Sequence, residues 1–266
     1  MLARLLQILL PNGGLTLHMV ETYFDESIRS RLLCVCGYIM EKDAAISLDS
    51  EWQKALKTYN LPVFRMSPCA NGAPPFDRLS IDERIALEAY LINLIRAHVS
   101  FGVAVTVETD VFAEVMPACP EVGSPYAFCA HNCLVAVKSW ADQSDYHGTV
   151  AHFFESGYAN AAEANALMNR IVSLPKLRKT HRYGSHTFAQ KKDVRPLQAA
   201  DILVWQSGKD RERKAQGKTP RKDFVALTAL RNGKPFHKVT HWDRHLLKEM
   251  ADIPLSGYYP LTHVKF

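Results

Sequence analysis

Hydrophobic positions along the chain recur with a period of two in some stretches and near 3.6 in others, and the two kinds of stretch alternate. Residues 20–24 form a short strand pattern ending in Asp25-Glu26-Ser27, and residues 31–40 form a second, rich in β-branched and aromatic side chains. The tight connection between them predicts a hairpin. Residues 43–59 carry a helical pattern, and residues 66–75 form a Pro- and Gly-rich loop. Ser80-Ile81-Asp82-Glu83 is a capping box that opens a strongly periodic helix running to about Val99. Residues 101–107 alternate as a strand, with Glu108 at its end. Residues 126–140 predict an apolar-faced helix, residues 149–154 a strand ending in Glu155-Ser156-Gly157, and residues 161–172 another helix. A basic, extended segment follows at residues 182–191, then a helix from Pro196 to about Lys209. Strands and helices in this order predict one α/β domain, a mixed sheet flanked by helices. No repeat, low-complexity block or linker divides it.

The ends stand apart from this pattern. Residues 1–18 hold one early basic residue, Arg4, and a short apolar run broken by Pro11 and Gly13-Gly14. They read as a leader or disordered extension before a domain over residues 19–266, with a short docking helix as the alternative. Residues after about Gln206, including a helical pattern at residues 241–250, read as a helical extension that either covers the site or recruits a partner. The chain has no run of the roughly 18 apolar residues that a membrane-spanning helix needs. Its six cysteines carry no sign of secretion, so free thiols in a reducing cytoplasm are expected. Cys129 and Cys133, with His131 between them, lack the Cys-x2-Cys spacing of a zinc site and read as small core thiols.

Charge adds a direction. The formal net charge is only +5, yet residues 176–222 hold 14 Lys and Arg against 4 Asp and Glu. A polyanion would be drawn to this part of the chain.

Three carboxylates are candidates for chemistry. Asp25 and Glu155 follow strands, and in open α/β sheets sites collect just beyond strand ends. Asp or Ser after a strand is also ordinary turn chemistry. Asp201 is different, because its helical neighbours Leu197, Val204 and Trp205 put it on an apolar face. A carboxylate buried there needs a partner, whether a cation, a basic side chain or a metal. Three converging carboxylates would suit Mg²⁺ or Mn²⁺, which prefer oxygen ligands. Adjacent Glu26 either assists or faces the other side of its strand, and Glu108 is a further candidate.

The Asp25-Glu26-Ser27 strand end, together with the late run Pro196-Leu197-Gln198-Ala199-Ala200-Asp201-Ile202-Leu203, resembles the domain-of-unknown-function 3800 family of bacteria and their mobile elements. That family is regarded as RNase H-like, and the resemblance covers residues 20–205. It implies an RNase H-like mixed β-sheet flanked by helices, with an acid on a central strand joining the two terminal ones. Glu155 takes that place by position, although the family more often shows Asp-Glu where this chain has Glu155-Ser156.

Fold and acids together imply a metal-dependent nuclease acting on RNA or DNA. Asp25, Glu155 and Asp201 would bind the metal, with Glu26 beside them. Lys179, Arg182, Lys191, Lys192 and Arg195 precede the Asp201 helix and would contact phosphate. His181, His186 and Tyr183 are interleaved with them and read as surface residues. His241 and His245, four apart, would share a helix face, and without a third ligand they read as surface too. A non-catalytic nucleic-acid- or partner-binding module and a small-phosphoester hydrolase are the alternatives. The chain lacks a Gly-x-Ser-x-Gly elbow, a Walker-type phosphate loop, a Gly-x-Gly-x-x-Gly turn and a His-Glu-x-x-His motif.

Overall fold

In the computed structural model, which describes residues 19–116, 123–157 and 160–252, a six-stranded mixed sheet lies between two helical layers. Strands β1 (Val20–Arg29), β2 (Leu32–Glu41) and β3 (Phe101–Glu108) form an antiparallel meander. Strand β4 (Val150–Glu155) joins β1 in parallel, β5 (Tyr183–Ala189) joins β4 in parallel, and β6 (His237–Trp242) lies parallel to β3 on the opposite edge. The order is β5-β4-β1-β2-β3-β6. The first 18 residues, read above as a leader, lie outside the described residues. Among the described residues no helix is long and apolar enough to cross a membrane.

Side chains that alternate along a strand point to opposite faces, and here each face has its own core. On one side Tyr23, Cys34, Cys36 and Tyr38 pack beneath helices α1 (Lys42–Thr58), α3 (Ile81–His98) and α8 (Pro196–Ala215). On the other side Phe24, Val35 and Val105 pack beneath α5 (Pro125–Gln143) and α6 (Ala161–Ser173). The capping box is present as expected, with Ser80 Oγ accepting from Glu83 N and Glu83 accepting from Ser80 N. Smaller elements fill the connections: α2 (Met66–Asn71), α4 (Thr109–Val115), α7 (Pro175–Thr180), α9 (Lys222–Thr228) and α10 (Arg244–Ala251).

Several expectations change. Strand β1 runs five residues past the predicted end at Phe24, because β2 continues to pair with it as far as Arg29↔Leu32. The parallel pairing with β4 stops at Phe24↔Phe154. Asp25 therefore lies within a strand, at the point where β1 outruns β4. The loop at residues 66–75 contains helix α2, and α8 continues beyond Lys209 to Ala215. His241 sits in edge strand β6, with its ring nitrogen 2.9 Å from Thr106 Oγ1, so it shares no helix face with His245. His181 is buried rather than superficial, and burial lowers its pKa to about 4. The five cysteines among the described residues are free and buried, including Cys129 and Cys133 in the core under α5.

The approach to Asp25 is tightly packed. A Cβ added at Gly37 would come within 2.3 Å of Phe24 Cδ1 and 2.6 Å of Tyr23 O. Gly37→Ala is accordingly expected to cost about 1–3 kcal/mol by overpacking, read from urea unfolding. An unchanged midpoint would show that the sheet yields there without penalty.

Candidate functional site

Alternation decides which acids meet. Tyr23 faces the α8 side and Phe24 the α5 side, so Asp25 also faces α8 and Glu26 faces α5. On β4, Phe153 stacks on Tyr23 with ring centroids 5.0 Å apart, while Phe154 belongs to the α5 side. Glu155 thus emerges toward α8, beside Asp25. Helix α8 crosses β1 and β2 and brings Asp201 from its second turn to the same place.

At the meeting point stands an amine. Lys191 Nζ lies 2.8 Å from Asp25 Oδ2, 2.5 Å from Glu155 Oε2 and 2.7 Å from Asp201 Oδ1. Lys191 is only 1% exposed. It reaches the acids from the short connection after β5, whose last residue, Ala189, pairs with Glu155. The three carboxylates that were expected to converge do so, and Lys191, expected to contact phosphate at the surface, is enclosed by them.

The surrounding contacts hold this arrangement. Asp25 Oδ1 accepts from Glu26 N at 2.8 Å, and Asp201 Oδ2 accepts from Met66 N at 2.5 Å. Arg65, with its side chain 49% exposed, approaches Glu155 Oε1 at 3.3 Å. Gln198, fully buried, donates through Nε2 to Lys191 O at 2.7 Å. Its Oε1 accepts from Trp52 Nε1 at 2.9 Å and from Phe64 N at 2.8 Å. Gln198→Ala would leave three buried polar groups without a partner and is expected to cost about 2–4 kcal/mol, measured by chemical denaturation. A loss near zero would mean that these groups find other partners.

Burial raises the pKa of Asp25 well above the usual carboxylate value. Lys191 opposes this rise, while Asp201 and Glu155 add to it. Asp25 Oδ2 and Glu155 Oε2 are buried and meet Lys191 as ion pairs without aligned hydrogen bonds. Three carboxylates face one enclosed ammonium and one half-exposed guanidinium, and the raised pKa of Asp25 favours a proton on that carboxyl, which brings the cluster toward charge balance. Carboxylate oxygens are the ligand type that hard divalent cations take. As arranged, the described residues contain no group of three or more His, Cys, Asp or Glu with metal-holding geometry.

Glu26 is a neighbour of the cluster, lining the adjoining cleft together with Asp201 and a small pocket together with Asp25 and Glu155. It accepts from Asn160 Nδ2 at 3.0 Å on the α5 side, and burial pushes its pKa up to about 7. Glu108 lies at the end of β3, which is separated from β1 by β2.

The expected basic surface also divides. Lys179 and Arg182 sit before the start of β5, roughly 20 Å along an extended strand from Ala189. Arg182 is bound to Asp142 at 2.7 Å, and Arg195 to Asp49 of α1 at 2.7 Å. Lys192 remains exposed. The cations nearest the acids come from elsewhere: a cleft of about 310 Å³ beside the cluster is lined by Arg29, Arg65, Ser67, Asp201 and Trp205. Arg29 lies over the Trp205 ring at 5.1 Å. Sequence reading missed Arg65 and Arg29 because neither belongs to a basic run.

Compared with known proteins, the chain matches no family model, and no curated protein is similar enough to count as a relative.

Proposed function

We propose that this protein hydrolyses phosphodiester bonds of RNA or DNA with Mg²⁺ or Mn²⁺ held by Asp25, Glu155 and Asp201, on an RNase H-like frame. The observation that carries this reading is the convergence of three carboxylates, from β1, β4 and α8, on one buried point beside an open cleft. An antiparallel meander continued by two parallel strands, with the first acid on a central strand, agrees with the RNase H-like reading. So does the resemblance of the two end motifs to the 3800 family. Hard carboxylate oxygen donors suit a small divalent cation, which when bound would activate water and stabilise the leaving oxygen. The protein's own part is to hold the carboxylates on rigid strands and to offer Arg65 and Arg29 to the substrate phosphates. The cytoplasm is proposed as its setting, supported by the buried free thiols.

A specific observation favours a second reading. Lys191 already neutralises part of the cluster, as in a structural ion network, which would leave a non-catalytic binding module. Incubating the purified protein with single- and double-stranded RNA and DNA separates the two. The hydrolase cleaves at least one substrate with Mg²⁺ or Mn²⁺ and none with chelator, whereas the binding module cleaves none under either condition. In the same samples, Arg65→Ala is expected to lower the slope of nucleic-acid binding against salt by about one phosphate contact. Lys179→Ala should leave that slope as it is. The reverse pattern would move the phosphate path to the start of β5.

A further inference from the structure

The proposed metal site contains a cation of its own. We infer that Lys191 is a resident counter-ion that a divalent cation must displace, so that metal binding and withdrawal of the lysine amine are a single event. This rests on the metal-binding reading above.

The carboxylate oxygens that touch Lys191 Nζ, at 2.5 to 2.8 Å, are the ones that face the shared point. A divalent ion takes such oxygens at about 2.0–2.6 Å, so it and the ammonium compete for the same electron pairs and repel each other. The acids are the fixed partners in this exchange. Asp25 and Glu155 project from paired strands, and Asp201 is tied to Met66 N. Lys191 is held at its carbonyl oxygen by Gln198 and at Nζ by the carboxylates, and its long unbranched stem lets the amine re-aim once a cation takes those oxygens. The way out passes Asp201, which is the cluster member that lines the open cleft, with its side chain 16% exposed. There the amine would stand among the groups placed to meet substrate phosphate.

The test uses the full chain. Mn²⁺ is titrated while its binding is followed by electron paramagnetic resonance. At each point the lysines are briefly acetylated with acetic anhydride and quantified by mass spectrometry. Lys191 is expected to be protected without metal and to gain label several-fold along the Mn²⁺ binding curve, while exposed Lys192 stays constant. Lys191→Met is expected to bind Mn²⁺ about tenfold more tightly or better, the scale on which groups acting on ligands tune affinity. Saturable Mn²⁺ binding with Lys191 still protected would overturn the displacement and leave the metal site standing. Absence of saturable binding in both proteins would overturn the metal site and the displacement with it. Should Lys191→Met not fold, the labelling of the wild-type chain decides alone.

Discussion

Lys191→Met is expected to lower the stability of the metal-free protein by about 3–5 kcal/mol near neutral pH, the usual cost of removing one partner from a buried charge cluster. Methionine keeps much of the stem's packing, so the loss isolates the charge. Three carboxylates around the vacated point would then either repel one another or take up protons. The pH dependence follows from Asp25, whose folded-state pKa is raised by burial. A carboxylate raised in the folded state binds its proton more tightly there than in the unfolded chain. Its stabilising share is present at acid pH and is lost as pH rises from the unfolded value through the folded one. Without the opposing Lys191 charge the Asp25 pKa rises further, so the deficit of Lys191→Met should be smallest in acid and widen toward neutral pH. Saturating Mn²⁺ should restore much of it by binding the folded state. Urea unfolding across pH, with and without Mn²⁺, measures all three effects. A variant within about 1 kcal/mol of wild type at every pH, well below the cost of an unpaired buried charge, would mean that the cluster is not ionised as described.

Asp201→Asn should have a different profile, a large loss of cleavage with a smaller loss of stability than Lys191→Met. The amide oxygen of asparagine can still accept from Met66 N, but the amide nitrogen then replaces the oxygen that accepts from Lys191 Nζ, at an expected cost of about 1–3 kcal/mol. The metal-binding capacity falls with the charge removed. Metal-dependent turnover is expected to drop by about 100-fold or more, as when a preorganised charge-stabilising group is removed, while nucleic-acid binding persists. The split between cleavage rate and unfolding midpoint is the informative readout. Equal turnover in the two proteins would remove Asp201 from the chemistry.

How far the site was legible depends on the residue. Asp201 could be read from its helical neighbours alone, since a carboxylate among Leu197, Val204 and Trp205 must have a partner. That partner proved to be a lysine ten residues earlier in the chain. Asp25 and Glu155 were legible as acids near strand ends, but β1 extends to Arg29 through its pairing with β2, and hydropathy alone does not show which neighbour a strand outruns. Strand alternation separates Asp25 from Glu26 only once it is known which face α8 covers. Lys191 was hidden in plain composition. In the pair Lys191-Lys192 one side chain is enclosed and the next exposed, a difference set by the register of β5 against β4 rather than by either residue's type. Helix α2 lay in a stretch whose Pro and Gly content reads as loop, with Arg65 just before it, and edge strand β6 ends inside the stretch from residue 241 that carries a helical pattern.

The most direct measurement is Mn²⁺ binding to the wild-type chain and to Asp25→Asn, Glu155→Gln and Asp201→Asn, each checked for folding by circular dichroism. A shared carboxylate site predicts saturable binding in the wild type, weakened about tenfold or more by each substitution. Absence of saturable binding in the wild type, or binding that all three folded variants retain unchanged, would contradict it.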